Sequence, residues 1–506
     1  MDATQFAALV GRLERVSDRH PRAYVLRLLL VVSLGYAPLA LALLCLLVAL
    51  GSMASAFLSD ASPGLGPIVA VFLSAFAAIV IAKAMISTAL PIAGREITSD
   101  ECPALFNAVD EVLQKLAASA EGTGDRAYIH TITIDREFAL RLHLIPQWGV
   151  LGKVTHELRI GLPLLQAISI AELKALLAHE LAHLGSPQTR LSSWIYRQRV
   201  AWEAIEERFA EPSSLSDKVL APIFGRYATF FLAYSLIMAR NHEYAADRAA
   251  AQATHPRLLA RALIKTELIG RFLAEVFWTR LFEQVERLPE PQYLPYSVLS
   301  RAIHLAHKQW QRSDWMHQAI RQYPAEHETH PALGERLAAL DVPAELPSTV
   351  AESAALTLLG EAAAPIVREF DEAWKAEYVP AWRKRHDAIR EARWKIAQYE
   401  SVAEAEMKPE DLWKKATLLL DIALEREAID ALTVLVSREP KMAQAQFLLG
   451  RMLLERADER GLKHLAFAAH HDAELLEAVG ELGYGYLVQR GRRAEAQRFW
   501  DRVQAA

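Results

Sequence analysis

A chain of 506 residues is long enough for two or three domains, and with 52% hydrophobic residues it can bury a sizeable core. Its net charge of −5 supplies no general case for nucleic-acid binding. Its only cysteines are Cys45, inside an apolar run, and Cys102, after it, which argues against a disulfide scaffold and a cysteine-based metal site.

Residues 1 to 23 are polar and carry Arg12, Arg15, Arg19 and Arg22. From Leu28 to Ala82 the only formal charge is Asp60. Two apolar segments, Tyr24 to Leu50 and Pro67 to Leu90, flank a loop containing Gly, Ser and Pro. Each can cross a hydrocarbon core of about 30 Å, and soluble helices rarely run so long without a charged face. Ala54, Ser55 and Ala56 would suit a signal-peptide cleavage site, but the run is too long and begins too far from the terminus. The segment predicts a transmembrane hairpin. Arginines precede it, Lys83 and Arg95 follow it and Asp60 marks its loop, so the positive-inside rule puts both termini in the cytoplasm.

Residues 99 to 119 place Leu105, Val109, Val112, Leu113 and Leu116 at helical spacing. Tyr128 to Ile134 alternates like a strand, and a second strand around Glu157 to Leu162 leads into the next helix. That helix holds the pattern H-E-x-x-H as His179, Glu180 and His183. Such a pattern arises by chance in about a few per cent of chains this size, so its setting decides. Ile170 to Ala178 are nearly all good helix formers, with Ser169 as N-cap and Glu172 as its capping-box partner. On a helix, residues four apart share a face, so His179 and His183 can hold one zinc ion. Zinc acidifies water, and Glu180 can take the proton as that water attacks a peptide carbonyl. Two histidines and a glutamate on an apolar helix are costly to bury without a ligand for them.

Catalytic zinc usually takes three protein groups. The positions that carry the metzincin glycine and histidine are here Ser186 and Thr189, which excludes that class. Val219 to Ala239, apolar except for Arg226, is long enough for a further span. Arg226, Tyr227, Tyr234 and Ser235 favour a helix packed on the domain or at the membrane interface. Beyond it the candidate third ligand is Glu243, in the helical stretch Arg240 to Arg248. Asp247, four residues on, shares its face and could receive the free N–H of a zinc-bound imidazole. The same two carboxylates could instead form a solvated face paired with Arg240 and Arg248.

These residues resemble a family of zinc membrane endopeptidases that includes the CaaX prenyl protease and the bacterial heat-shock membrane protease HtpX. The resemblance rests on His179, Glu180 and His183, on Glu243, Tyr244, Ala245, Ala246 and Asp247, and on Thr329, His330 and Pro331 followed by Arg336. It covers roughly residues 95 to 340. It implies that His179, His183 and Glu243 bind one zinc ion and that Glu180 is the base. It also implies that His330 and Arg336 stand near the active site, to steady the oxyanion or the substrate backbone. His330 could equally be a turn histidine ahead of a helix from Ala332 to Leu340. In zinc peptidases of this plan an edge strand beside the metal pairs with the extended substrate. One departure is visible: where the family commonly shows Asn-Ala-Phe after its first strand, this chain has Arg136, Glu137 and Phe138.

Asp341 to Pro347 reads as a linker. Two charged helices follow, Ala363 to Tyr378 and Ala381 to Tyr399, whose Trp374, Trp382 and Trp394 are expected to pack against the catalytic domain or a neighbouring helix. From about 409 the chain is weakly repetitive: Ala416, Gly450 and Gly483 are spaced by 34 and 33 residues. That period resembles tetratricopeptide repeats, though a generic stack of helical hairpins would serve similarly as a concave surface for a protein partner. His470 and His471 are expected at the surface.

The expected fold is mainly α: a membrane-anchored α+β zincin metallopeptidase domain with a small edge sheet, plus a C-terminal helical-repeat domain. The expected boundaries are a cytoplasmic segment at 1–23, the hairpin at 24–90, the peptidase at 95–340, linker and charged helices at 341–408, and repeats at 409–506. The expected function is zinc-dependent endopeptidase action on membrane-associated or misfolded proteins. The protein would be multi-pass in the cell (inner) membrane, with its catalytic domain cytoplasmic. Its partners would be a protein or peptide substrate, the membrane and a protein on the repeats, with no nucleic acid. The rival readings are a non-catalytic membrane adaptor and a dedicated processing protease for one substrate.

Overall fold

A computed structural model of the chain describes residues 3–59, 64–85, 94–119, 128–146, 154–185, 190–210, 215–310, 314–322, 329–399 and 402–504. They are mainly helical and fall into two units, 1–279 with 293–373 and 280–292 with 374–506.

The first unit begins with α1 (Ala3–Arg19), α2 (Pro21–Gly35), α3 (Ala37–Leu58) and α4 (Leu65–Met85). Both α3 and α4 are long and apolar enough to cross a membrane, and they expose Leu41, Leu44, Leu47, Phe72, Leu73 and Phe76. The apolar run expected to form one span from Tyr24 to Leu50 is instead broken at Tyr36, with Pro38 in the first turn of α3. Proline suits a first turn and disfavours helix in the residue before it, so the run splits there. The first half, α2, buries Tyr24, Leu28 and Val32 in a cluster with Trp202, Phe224 and Phe231. The polar N-terminal segment is an amphipathic helix whose Phe6 and Val10 pack with Ala233 and Leu236. The loop of the expected hairpin at 60–63, with Asp60, and the stretch 86–93 where it ends lie outside the described residues.

Next come β1 (Arg95–Ile97), α5 (Pro103–Ser119), β2 (Thr131–Asp135), β3 (Leu140–Pro146), β4 (Val154–Gly161), α6 (Leu162–Ala167) and α7 (Ile170–Gly185). The four strands form one sheet in the order β1-β2-β4-β3, with β2 and β4 parallel and the other pairs antiparallel. Ile132, Ile134, Leu158 and Ile160 are buried on one face. On the other, Glu157 accepts from Thr133 Oγ1 at 2.8 Å and from Arg159 Nη2 at 2.9 Å. The strands β2 and β4 lie where alternation places them. The short β1 and the edge strand β3 were not anticipated, although Leu140, Arg141, Leu142 and His143 do alternate.

The unit continues with α8 (Arg190–Ala210), α9 (Leu215–Ala253) and α10 (Pro256–Phe272), then a π-helical turn, Leu273–Phe277, and α11 (Trp278–Glu283). After α12 (Pro295–Trp310) come α13 (Trp315–Arg321), α14 (Leu333–Ala339), α15 (Ala354–Leu359) and the start of α16 (Ala363–Ala397). Val219 to Ala239 is no separate segment: α9 runs unbroken through it to Glu243 and beyond. Its stretch from Asp217 to Ala253 is a third helix long and apolar enough to cross a membrane, half buried within the protein. At the foot of α7, Ser169 and Glu172 cap each other's backbone N–H. Glu172 also accepts from the buried Lys265 at 2.7 Å, which ties α7 to α10.

In the second unit the expected pair of charged helices is one, α16, continuous through Pro380. Proline removes one backbone hydrogen bond, and here the buried Trp374 and Trp382, each in ring contact with Phe282, hold the helix on both sides of the gap. Trp394 is exposed. There follow α17 (Pro409–Asp421), α18 (Glu425–Arg438), α19 (Ala443–Glu455), α20 (Arg460–His471), α21 (Leu476–Gln489) and α22 (Arg493–Gln504), packed as successive pairs. Ala416 is fully buried, and a Cβ at Gly450 would lie 2.9 Å from the Gly461 carbonyl oxygen. His470 and His471 are exposed.

Candidate metal centre and substrate cleft

Two helices bring the chemistry together. One turn of α7 separates His179 from His183, whose ring centroids lie 5.3 Å apart. The far part of α9 supplies Glu243, which faces both: its Oε2 is 3.3 Å from His179 Nε2 and its Oε1 is 3.5 Å from His183 Nε2. One nitrogen from each histidine and one carboxylate oxygen lie within 4.8 Å of one another. Tetrahedral zinc with bonds of about 2.0–2.1 Å needs its ligand atoms about 3.3–3.5 Å apart. His179 Nε2 and Glu243 Oε2 are buried without a hydrogen-bond partner, which is costly unless an ion takes both. The donor set, two imidazoles and a carboxylate, fits zinc.

Behind the ligands lies a second layer. Asp247, one turn after Glu243, lies 2.8 Å from His179 Nδ1 through its Oδ1. Arg336, on α14, donates to both oxygens of Asp247, at 2.8 and 2.6 Å. The four groups are His179, Asp247, Arg336 and Glu243, and all are buried. The guanidinium that the resemblance places near the substrate is thus held by Asp247. His330 is half exposed, and its Nε2 lies 3.2 Å from Glu243 Oε2. With His179 and Glu180 it forms a second group whose ligand atoms lie within 4.8 Å.

Glu180 accepts from the Leu142 backbone N–H at 3.2 Å, so the glutamate is held against the edge strand β3. Burial pushes its carboxyl above the ordinary range, with His179 opposing and Glu243 adding to the shift. A cleft of about 810 Å³ runs here, lined by Phe138, Leu140, Leu142 and Leu176 beside Glu180 and His330. On its wall the ring of Tyr196, from α8, lies parallel to His183 at 5.9 Å and within 14° of parallel to His242 at 5.7 Å. Neither Tyr196 nor Leu142 was singled out from the sequence. The alternation of β3 could have pointed to Leu142, whereas no local pattern marks Tyr196.

Paired histidines on a helix, a carboxylate from a second helix, a glutamate beside them and, among the described residues, an unpaired strand edge are an arrangement that suits a metal-dependent peptidase. Residues 153–344 match the model for peptidase family M48, and this part of the chain is an M48 domain. The match implies a metalloprotease, of a family generally dependent on zinc. No curated protein matches the chain.

Proposed function

We propose that the protein is a membrane-anchored zinc endopeptidase in which His179, His183 and Glu243 hold one zinc ion. Zinc in that position would supply a Lewis acid for the scissile carbonyl and would acidify water. Glu180 takes the proton from the attacking water and passes it to the leaving amine. Asp247 fixes the tautomer and orientation of His179, and Arg336 fixes Asp247. His330, beside the ligands and partly open to the cleft, is read as the group that steadies the oxyanion or the substrate backbone. An extended peptide pairs with the free edge of β3, so that main-chain hydrogen bonds bind it with little selection of sequence.

The convergence of Glu243 on both histidines, with Glu180 beside them, carries this reading. Its substrates are read as membrane-associated or misfolded proteins at the cytoplasmic face, because the apolar α3 and α4 anchor the same unit and basic residues flank them. We read the paired helices after 409 as tetratricopeptide-like and as the surface for a protein partner. The test is zinc content beside casein cleavage on detergent-purified protein. Wild type is expected to hold one zinc and cut, Glu180→Gln to hold zinc without cutting, and Glu243→Ala to lose the metal. Wild type without zinc would sink the proposal.

A further inference from the structure

His179 and His183 are neighbours on α7 but are held by different means. His179 is fixed through Nδ1 by Asp247, itself clamped by Arg336. For His183 the ordering contact is a ring: Tyr196 lies parallel to it, at 0° and 5.9 Å between centroids. Tyr196 also lies nearly parallel to His242, at 5.7 Å and 14°. These three rings come from α7, α8 and α9 in turn, and His242 immediately precedes Glu243. The Tyr196 ring therefore packs against a side chain from each of the two helices that carry the ligands.

We propose that Tyr196 is a positioning residue of the metal centre, its ring setting both the plane of His183 and the spacing between α7 and α9. This rests on the reading of His183 as a ligand. An imidazole binds a metal along the in-plane direction of its lone pair, so rotation about the bond to the ring swings Nε2 off target. A flat neighbour stacked in parallel opposes that rotation, as offset aromatic pairs do in general. His242 Nε2 is buried with no hydrogen-bond partner, which suits a ring kept for its face rather than for its polar atoms. The device needs an aromatic face at position 196 and no hydroxyl.

The test uses the full chain in detergent, carrying Glu180→Gln to stop self-cleavage, with Tyr196→Phe and Tyr196→Leu compared. Zinc affinity is read by competition with a fluorescent chelator, and ligand geometry by the visible spectrum of the cobalt(II) form. Tyr196→Leu is expected to weaken zinc binding by about tenfold or more and to alter the cobalt spectrum, whereas Tyr196→Phe stays within about twofold. Equal losses in both variants would overturn the proposal, because the hydroxyl would then be what matters. Zinc affinity and a cobalt spectrum unchanged by Tyr196→Leu would overturn it too. If Tyr196→Leu fails to fold, His242→Leu removes only the outer ring and should still shift the cobalt spectrum. An unshifted spectrum there counts against the clamp. A parent chain that binds no zinc would defeat the metal-centre reading itself, a different result from a parent that binds zinc and a leucine variant that binds it equally well.

Discussion

The two histidines on α7 are pushed in opposite directions in the metal-free protein. Burial disfavours a charged His179, but Asp247 and then Glu243 outweigh it and raise its pKa to about 9. His183 is pushed down to about 4, chiefly by burial, against the pull of Glu243. At pH 7 one ring is protonated and the other neutral, so entering zinc displaces one proton from the pair. Titration calorimetry in buffers of different ionisation enthalpy is expected to show about one proton released per zinc at pH 7. Apparent zinc affinity should rise roughly tenfold per pH unit until about pH 9. A release near zero would mean that Asp247 and Glu243 do not hold the His179 proton. Because the folded pKa is raised, the same pairing stabilises the metal-free protein fully below the ordinary histidine value, and that stability is lost as pH climbs through about 9. At this scale the candidate ligands are legible from sequence, since helical spacing alone puts His179 beside His183 and Glu243 on a face with Asp247. The partner of Arg336 and the ring of Tyr196 are not, because both meet the site through packing between helices far apart in the chain.

At the scale of elements, the cleft depends on how the last residue of β4 meets the approach to β3. Gly161 donates its N–H to the Ala139 carbonyl at 2.8 Å, and a Cβ at 161 would collide with the Glu137 carbonyl. Its φ of −65° suits any residue, so the requirement is for space and not for backbone freedom. Gly161→Ala should therefore force the 137–139 backbone off β4 and loosen the start of β3. The expected result is a KM for peptide substrates raised several-fold, with zinc content retained, since the ligands sit on α7 and α9. Unchanged KM would show that the edge strand does not receive the substrate. The sequence reveals β2 and β4 through buried alternation, but β3 mixes arginine and histidine into its outer face and is easily taken for a loop. The break between α2 and α3 follows the usual reading of proline, and the continuity of α16 goes against it. Pro38 divides an apolar run that hydropathy alone joins, and Pro380 fails to divide a helix whose flanking tryptophans are packed.

At the scale of the whole molecule, the proposed topology, read from the charges around α3 and α4, has their connection across the membrane from the N-terminal arginines. In a chain with Cys45 and Cys102 replaced by serine, Ser59→Cys should react with an impermeant maleimide added outside intact cells, and Arg22→Cys should react only after lysis. The reverse pattern would move the peptidase to the other side of the membrane. The unbroken run of α9 adds a constraint of another kind. Thirteen residues separate Phe230, in its apolar stretch, from Glu243, a rise of about 20 Å along a helix. With that stretch centred in a bilayer whose half-thickness is about 15 Å, Glu243 stands only about 5 Å beyond the hydrocarbon boundary. On that placement α9 would serve as a yardstick, setting the height above the lipid at which a peptide bond meets the metal centre.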